Sequence, residues 1–420
     1  MTTSQFLFWK KLKPQEIRDR VMNALKDNVD FEDNDLIGVP ASHLDPKVFY
    51  SNAPILKDAP FLNSLIKNPN HIGCHTLGNS EPFFSGTQEI ERDLIDICAT
   101  DILDAEPHSC DGYVASGGTE ANIQAIWIYR NLFIREHGAK HDEIVILCSA
   151  DAHYSMYKAA DLLHLDIELV PVDSLSRKPE KAQIAAVVEA LAARGKKYVI
   201  SVVNMMTTMF GSVDDPDDFV HVLREAGLPF KMHVDGAYGG FLFPFMCDEN
   251  PLSFANPDIS SITLDAHKLV QAPYGTGIFI SRKGLMKYVY TSEASYVKGL
   301  DATLSGSRSG ANAIAVWMIL STYGPHGWYE KSQMLMMRTN WLCEKLDDMN
   351  VVYYRNPFSN IVTIQSSQEL LKLVGRFGLV PDSHNNGARW YKIVVMDHVT
   401  LDKLAAFLGE LEDELAKGIN

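Results

Sequence analysis

The residues with most chemical potential lie in Ser261-Ile-Thr-Leu-Asp265-Ala-His267-Lys268, which runs on through Leu-Val-Gln-Ala-Pro273-Tyr-Gly275-Thr-Gly277. A short apolar run ending in Asp-Ala-His-Lys puts Lys268 in the loop beyond a strand's carboxyl end, where open α/β sheets bind ligands. A primary amine there can condense with a carbonyl; the bland alternative is a solvated surface lysine. Upstream, Met232-His233-Val234-Asp235 is a second apolar run ending in a carboxylate. Asp235 could cap a helix, but the following Gly236-Ala237-Tyr238-Gly239-Gly240 is a poor helix start and suits a tight path around something bulky. A third stretch, Tyr113-Val-Ala-Ser116-Gly117-Gly118-Thr119-Glu120-Ala-Asn122, reads as strand, glycine turn and helix start. The free N–H groups of a helix's first turn bind anions, the glycines permit close approach, and Thr119 adds a hydroxyl. The turn lacks the lysine of a P-loop and the spacing of a dinucleotide fingerprint.

Amine, carboxylate and anion cradle together suit pyridoxal 5'-phosphate. Its aldehyde needs an amine, its ring nitrogen needs an anion to remain protonated, and its phosphate needs a cradle. No other common cofactor needs all three.

Elements that could hold these groups follow from periodicity. From about residue 111, apolar β-rich runs (144–148, 167–170, 198–203, 233–234, 261–264, 277–281) alternate with helix-like stretches from about Tyr154, 181–194 and 216–226. That alternation predicts an α/β fold with a mostly parallel sheet covered on both faces. Ile123, Ile126, Trp127 and Ile134 repeat at helical spacing and Gly138 supplies a stop. Beyond that, a long helical stretch over 312–346, strands at 351–354, 361–364 and 390–395, and a last helix over 401–415 predict a smaller antiparallel sheet with helices on one side.

Composition narrows the function classes. The 420 residues carry 38 Lys and Arg against 53 Asp and Glu, a net charge of −15, which repels phosphate backbones and argues against nucleic-acid partners. Six dispersed cysteines (74, 98, 110, 148, 247 and 343) form no CxxC pair, which argues against a small zinc site and for a reducing compartment. The basic cluster at the N-terminus follows its apolar patch, the reverse of a secretory signal, and no apolar run is long enough to span a bilayer. A cytoplasmic protein with no membrane partner is expected.

In order and spacing, Ser116-Gly-Gly-Thr-Glu-Ala-Asn122, Ala152-His153-Tyr154-Ser155, Thr207-Thr208-Met-Phe-Gly211-Ser-Val-Asp214, His233-Val-Asp235-Gly-Ala237, Asp265-Ala-His267-Lys268 and Ser305-Gly-Ser-Arg308-Ser-Gly310 resemble the pyridoxal-phosphate-dependent group II amino acid decarboxylases. The likeness extends from about residue 70 to the C-terminus and is strongest to the bacterial histidine and plant serine decarboxylase branch. Asp265-Ala266, where that branch has Ser-Gly, and Phe241-Leu-Phe-Pro244-Phe lean instead toward the archaeal tyrosine/aspartate decarboxylases and sphingosine-phosphate lyases.

The resemblance implies a type I pyridoxal-phosphate-dependent transferase fold: an arm over 1–60, a large cofactor domain over 61–300 and a small C-terminal domain over 301–420. It implies Lys268 as the Schiff-base lysine, Asp235 at the pyridine nitrogen, His153 and Ala237 on the two ring faces, and Gly117, Gly118, Thr119 and His267 at the phosphate. His153 is also a candidate for proton transfer, and Thr208, or Thr207, for a bond near the ring substituents. Arg308 is expected either to grip the substrate carboxylate or to tie two parts of the chain together. Tyr296 is a candidate proton donor to Cα, or packs; His75 lines the substrate pocket, or sits on a surface loop. The implied reaction is decarboxylation of an L-amino acid of the histidine, serine, tyrosine or aspartate class. Carbon–carbon lysis and transamination are the alternatives, because orientation alone selects which Cα bond breaks. A homodimer with interfacial sites is implied as well, with Phe6 to Trp9 either on the partner or buried in its own subunit.

Overall fold

The computed structural model describes residues 85–294, 299–385 and 387–418, together with 35, 37, 38, 45, 47, 48, 70–72, 78 and 79. His75, Tyr296 and the run Phe6 to Trp9 lie outside the described residues.

Strands β1 (Asn70–Ile72) and β9 (Ser307–Ser309) form a short antiparallel pair. Between them lies a seven-stranded sheet of β2 (Cys110–Ala115), β3 (Ile144–Ser149), β4 (Asp166–Val170), β5 (Tyr198–Asn204), β6 (Phe230–Asp235), β7 (Ile259–Asp265) and β8 (Gly277–Arg282). Its order is β2-β8-β7-β6-β5-β3-β4, and only β8 runs against the others. The carboxyl ends of β2, β3, β5, β6 and β7 therefore open on one edge. Strands such as β3 are buried along their whole length because helices cover both faces. Ile144, Ile146 and Cys148 pack with Ile123 and Ile126 of α2 (Gly118–His137) and Met156 of α3 (Ser155–Leu163). Their neighbours Val145 and Leu147 join a second core with Ile184 and Val188 of α4 (Lys181–Ala193) and Phe219 and Leu223 of α5 (Pro216–Glu225).

Helix α1 (Ser85–Asp96) runs into a π-helical turn over Ile97–Ile102, and a short α6 (Phe243–Met246) follows β6. The helical stretch expected over 312–346 is α7 (Gly310–Asp348), broken at Gly324 (φ 63°, ψ 176°) ahead of Pro325. A four-stranded antiparallel sheet, β10 (Tyr353–Tyr354), β11 (Ile361–Gln365), β13 (Trp390–Val394) and β12 (Val380–Pro381), carries α8 (Gln368–Phe377) and α9 (Leu401–Gly418). Among the described residues no helix is long and apolar enough to cross a membrane.

One buried ammonium joins distant parts of the chain. Lys331 Nζ on α7 lies 3.1 Å from Asp45, 2.8 Å from Asp397 beyond β13, and 2.6 Å from Oε1 of Gln271 in the loop that follows Lys268. Removing one half of such a cluster leaves uncompensated charge in the interior. A Lys331→Met variant should lose about 3 kcal/mol or more of unfolding free energy, read by urea denaturation.

Candidate active site

Four loops at the open edge of the large sheet converge. Beyond β2, Gly117 and Gly118 turn into α2. A Cβ on Gly118 would sit 3.0 Å from Ala237 Cβ and 3.1 Å from Asp265 Oδ2 and would press on both, and one on Gly277 would overlap Gly117 at 2.3 Å, so Gly277 admits no side chain. Glu120 closes the turn by accepting from Ser116 N–H at 2.9 Å. The first turn of α2, with Thr119 half-buried in it, is where the sequence predicts an anion cradle.

Asp235 ends β6 only 6% exposed. Its Oδ1 accepts from Ala237 N–H at 3.1 Å and its Oδ2 from the Asn122 amide at 2.9 Å. Asp265 ends the neighbouring β7, 3% exposed. It accepts from Gly118 N–H at 3.2 Å, meets His267 Nδ1 at 2.8 Å and lies 3.8 Å from Lys268 Nζ. Lys268 is partly open to solvent. His153, beyond β3, is half-buried with Tyr154 stacked on it at 4.0 Å, and Tyr274 stacks on His267 at 4.9 Å. Burial holds the His153 imidazole below its usual range, against the nearby charge of Asp235.

The structure thus brings Lys268, Asp265, His267, Gly117, Gly118, Thr119, Ala237, Asp235 and His153 together. The two threonines separate: Thr207 is buried in its own turn, 2.7 Å from Ser212 Oγ, while the Thr208 side chain is exposed. A pyridoxal phosphate fits this donor set, which has a glycine turn at a helix start with little room for a Cβ, a buried carboxylate three strands along the sheet from it, and an accessible amine.

Of the two expectations for Arg308, the geometry fits the tie and not the grip on substrate. It lies in strand β9, with its side chain 4% exposed, and its guanidinium pairs with buried Glu91 of α1 and donates to the Val114 carbonyl at 3.3 Å. The carboxylate it grips is the protein's own, so it ties β9 to α1 and β2. Sequence spacing could not reveal this, because Glu91 lies 217 positions upstream in a segment assigned no element. Arg308→Leu should lower unfolding free energy by about 3 kcal/mol, read by urea denaturation, while leaving KM for the amino acid within about twofold.

Sequence reasoning also passed over Lys392. Its Nζ reaches from β13 to donate to the Thr208 carbonyl at 2.8 Å, and it is 4% exposed. Burial first, and the charge of Lys268 second, push its pKa down to about 8. The signal was present: a lysine inside the strand Trp-Tyr-Lys-Ile-Val is either a snorkelling edge residue or a buried functional cation.

Residues 88–354 match the family described as pyridoxal-dependent decarboxylase conserved domain. A tryptophan decarboxylase of Clostridium sporogenes is 49% identical over 404 residues, 96% of this chain and 97% of the relative. An L-aspartate/L-glutamate decarboxylase of Pyrococcus horikoshii is 31% identical over 79% of this chain and 84% of its own. Among solved structures, an L-methionine decarboxylase of Streptomyces superposes with a TM-score of 0.78 at 22% identity, covering 96% of both chains, a likeness of fold.

Proposed function

Because the chain belongs to the pyridoxal-dependent decarboxylase family, and so is a pyridoxal-phosphate-dependent carboxy-lyase acting on an L-amino acid, we propose that its substrate is an aromatic amino acid, tryptophan first. The observation that carries this is near full-length identity of 49% to a tryptophan decarboxylase, a substrate outside the histidine, serine, tyrosine or aspartate class that the motifs suggested.

Within the site each residue takes a role from its place. Lys268 Nζ would be the amine that holds the cofactor, and Gly117, Gly118, Thr119 and His267 would hold its phosphate. Asp235 would hold the ring nitrogen, with Ala237, His153 and Thr208 about the ring. Bound there, pyridoxal phosphate would supply the electron sink that decarboxylation needs.

Lys392 is the cation for the substrate carboxylate. The described residues pair it with a carbonyl and no carboxylate, so an incoming anion supplies the counter-charge that burial withholds. Tyr154 and Tyr274 stack on the two site histidines yet are 58% and 73% exposed, faces that suit cover by a second copy of the chain in a homodimer. Light scattering reads that assembly directly.

Purified protein with pyridoxal phosphate should release CO2 and tryptamine from tryptophan with a higher kcat/KM than for histidine, serine, tyrosine or aspartate. Higher turnover of any of those four refutes the substrate assignment, and turnover surviving in Lys268→Ala refutes the site. Lys392→Met should reduce kcat/KM by about tenfold or more. The same variant should not destabilise the fold. The folded pKa is depressed to about 8, so between there and the unfolded value of about 10.4 the unfolded chain binds the extra proton, and stability from this group rises with pH. Below about pH 8 the wild type carries the full penalty, which Met removes, so a melting comparison at pH 7 should find the variant equal or more stable.

A further inference from the structure

Behind the ring-facing residues runs a chain of polar groups, and from His153 through Ser155 and Asn122 to Asp235 its hydrogen bonds have only one consistent direction. Ser155 N–H, which can only donate, lies 3.2 Å from His153 Nδ1, so Nδ1 is an acceptor and carries no proton. The Ser155 hydroxyl is 2.9 Å from the same Nδ1 and must donate to it too. That hydroxyl in turn accepts from the Asn122 amide nitrogen at 2.9 Å. The second proton of this amide goes to Asp235 Oδ2 at 2.9 Å. With both amide protons used, Asn122 Oδ1 is left to accept, and His233 Nε2 stands 3.0 Å from it, with Thr263 Oγ1 3.2 Å from the same nitrogen. His233 Nδ1 lies 2.7 Å from Ser261 Oγ, which pairs in turn with the Tyr129 hydroxyl. Burial holds His233 neutral, with a pKa down to about 4.

We propose that Asn122 is a positioning residue: its amide joins two arms, one fixing His153 as the neutral tautomer with its proton on Nε2, the other fixing the Asp235 carboxylate toward the cofactor nitrogen. This rests on the roles given to His153 and Asp235 above and extends them to the groups that set those roles. Nδ1 of His153 is committed to the protein interior, so Nε2 is the only edge from which His153 can deliver a proton. Asn122 is required as an amide because it must donate twice and accept once; a carboxylate in its place donates to neither arm and repels Asp235.

The test uses the cofactor-loaded protein labelled with 15N-histidine, with His153→Gln identifying the His153 resonances. Nδ1 should resonate in the unprotonated range and Nε2 in the protonated range; a protonated Nδ1 overturns the proposal. In Asn122→Asp, which is isosteric, the His153 resonances should move, and so should the ring-nitrogen resonance of 15N-labelled cofactor. Its kcat should fall about tenfold or more with KM within about twofold. Wild-type resonances and kcat in that variant would refute the role. Should Asn122→Asp fail to fold, Ser155→Ala removes a single hydroxyl. It should shift His153 Nδ1 and leave the cofactor nitrogen unmoved, whereas no shift, or a shift of both, contradicts two separate arms. Both resonance readouts are taken without substrate, so an error in the substrate assignment leaves them intact.

Discussion

Two carboxylates, Asp235 and Asp265, end adjacent strands almost out of reach of water, and the site is arranged around satisfying them. A buried carboxylate without donors costs several kcal/mol, so each recruits backbone and side-chain N–H groups from loops that would otherwise be unrelated. Asp235 draws on Ala237 and Asn122, linking β6 to its own loop and to the first turn of α2. Asp265 draws on Gly118 N–H, linking β7 to the start of the same helix, and stands 2.8 Å from His267 Nδ1 on the lysine loop. Helix α2 is therefore held at its N-terminus by both carboxylates. Gly118 is favoured because Asp265 and Ala237 leave little room for a Cβ, and Gly117 because its φ of 155° is one that side chains rarely adopt.

Legibility in the sequence followed the range of the interaction that decides each feature. Strand β3 and helix α2 are announced by local period and a glycine stop, and their structural bounds differ from the expected ones by a residue or two. The direction of β8 was not legible, since Gly-Ile-Phe-Ile-Ser is apolar in either orientation and its antiparallel course depends on the turn after Lys268. Helices α1 and α8 were passed over, although α8 carries a serine cap at Ser367 bonding Leu370 N–H, an apolar period in Leu370, Leu373 and Phe377, and a glycine stop at Gly378. In the site, Lys268, Asp235 and the glycine turn were legible because each follows an apolar strand. Arg308 was not, because its partner Glu91 lies more than a hundred residues away, and Lys392, a lysine inside an apolar strand, left two readings that only its distant partner Thr208 separates.

The buried cations show how the chain separates structure from chemistry. Arg308 and Lys331 each meet protein carboxylates, so their charge is compensated when the chain folds. Lys392 is as buried but meets a carbonyl and the like charge of Lys268, and its pKa falls accordingly. A buried cation that the described residues pair with no carboxylate suits the substrate-binding role proposed for it, since a cation already paired would have to break one bond to form another. The net charge of −15 sharpens the point: a long-range field that repels anions leaves capture of phosphate and carboxylate to local, pre-aimed donors, and desolvation makes those few interactions strong enough to act against it.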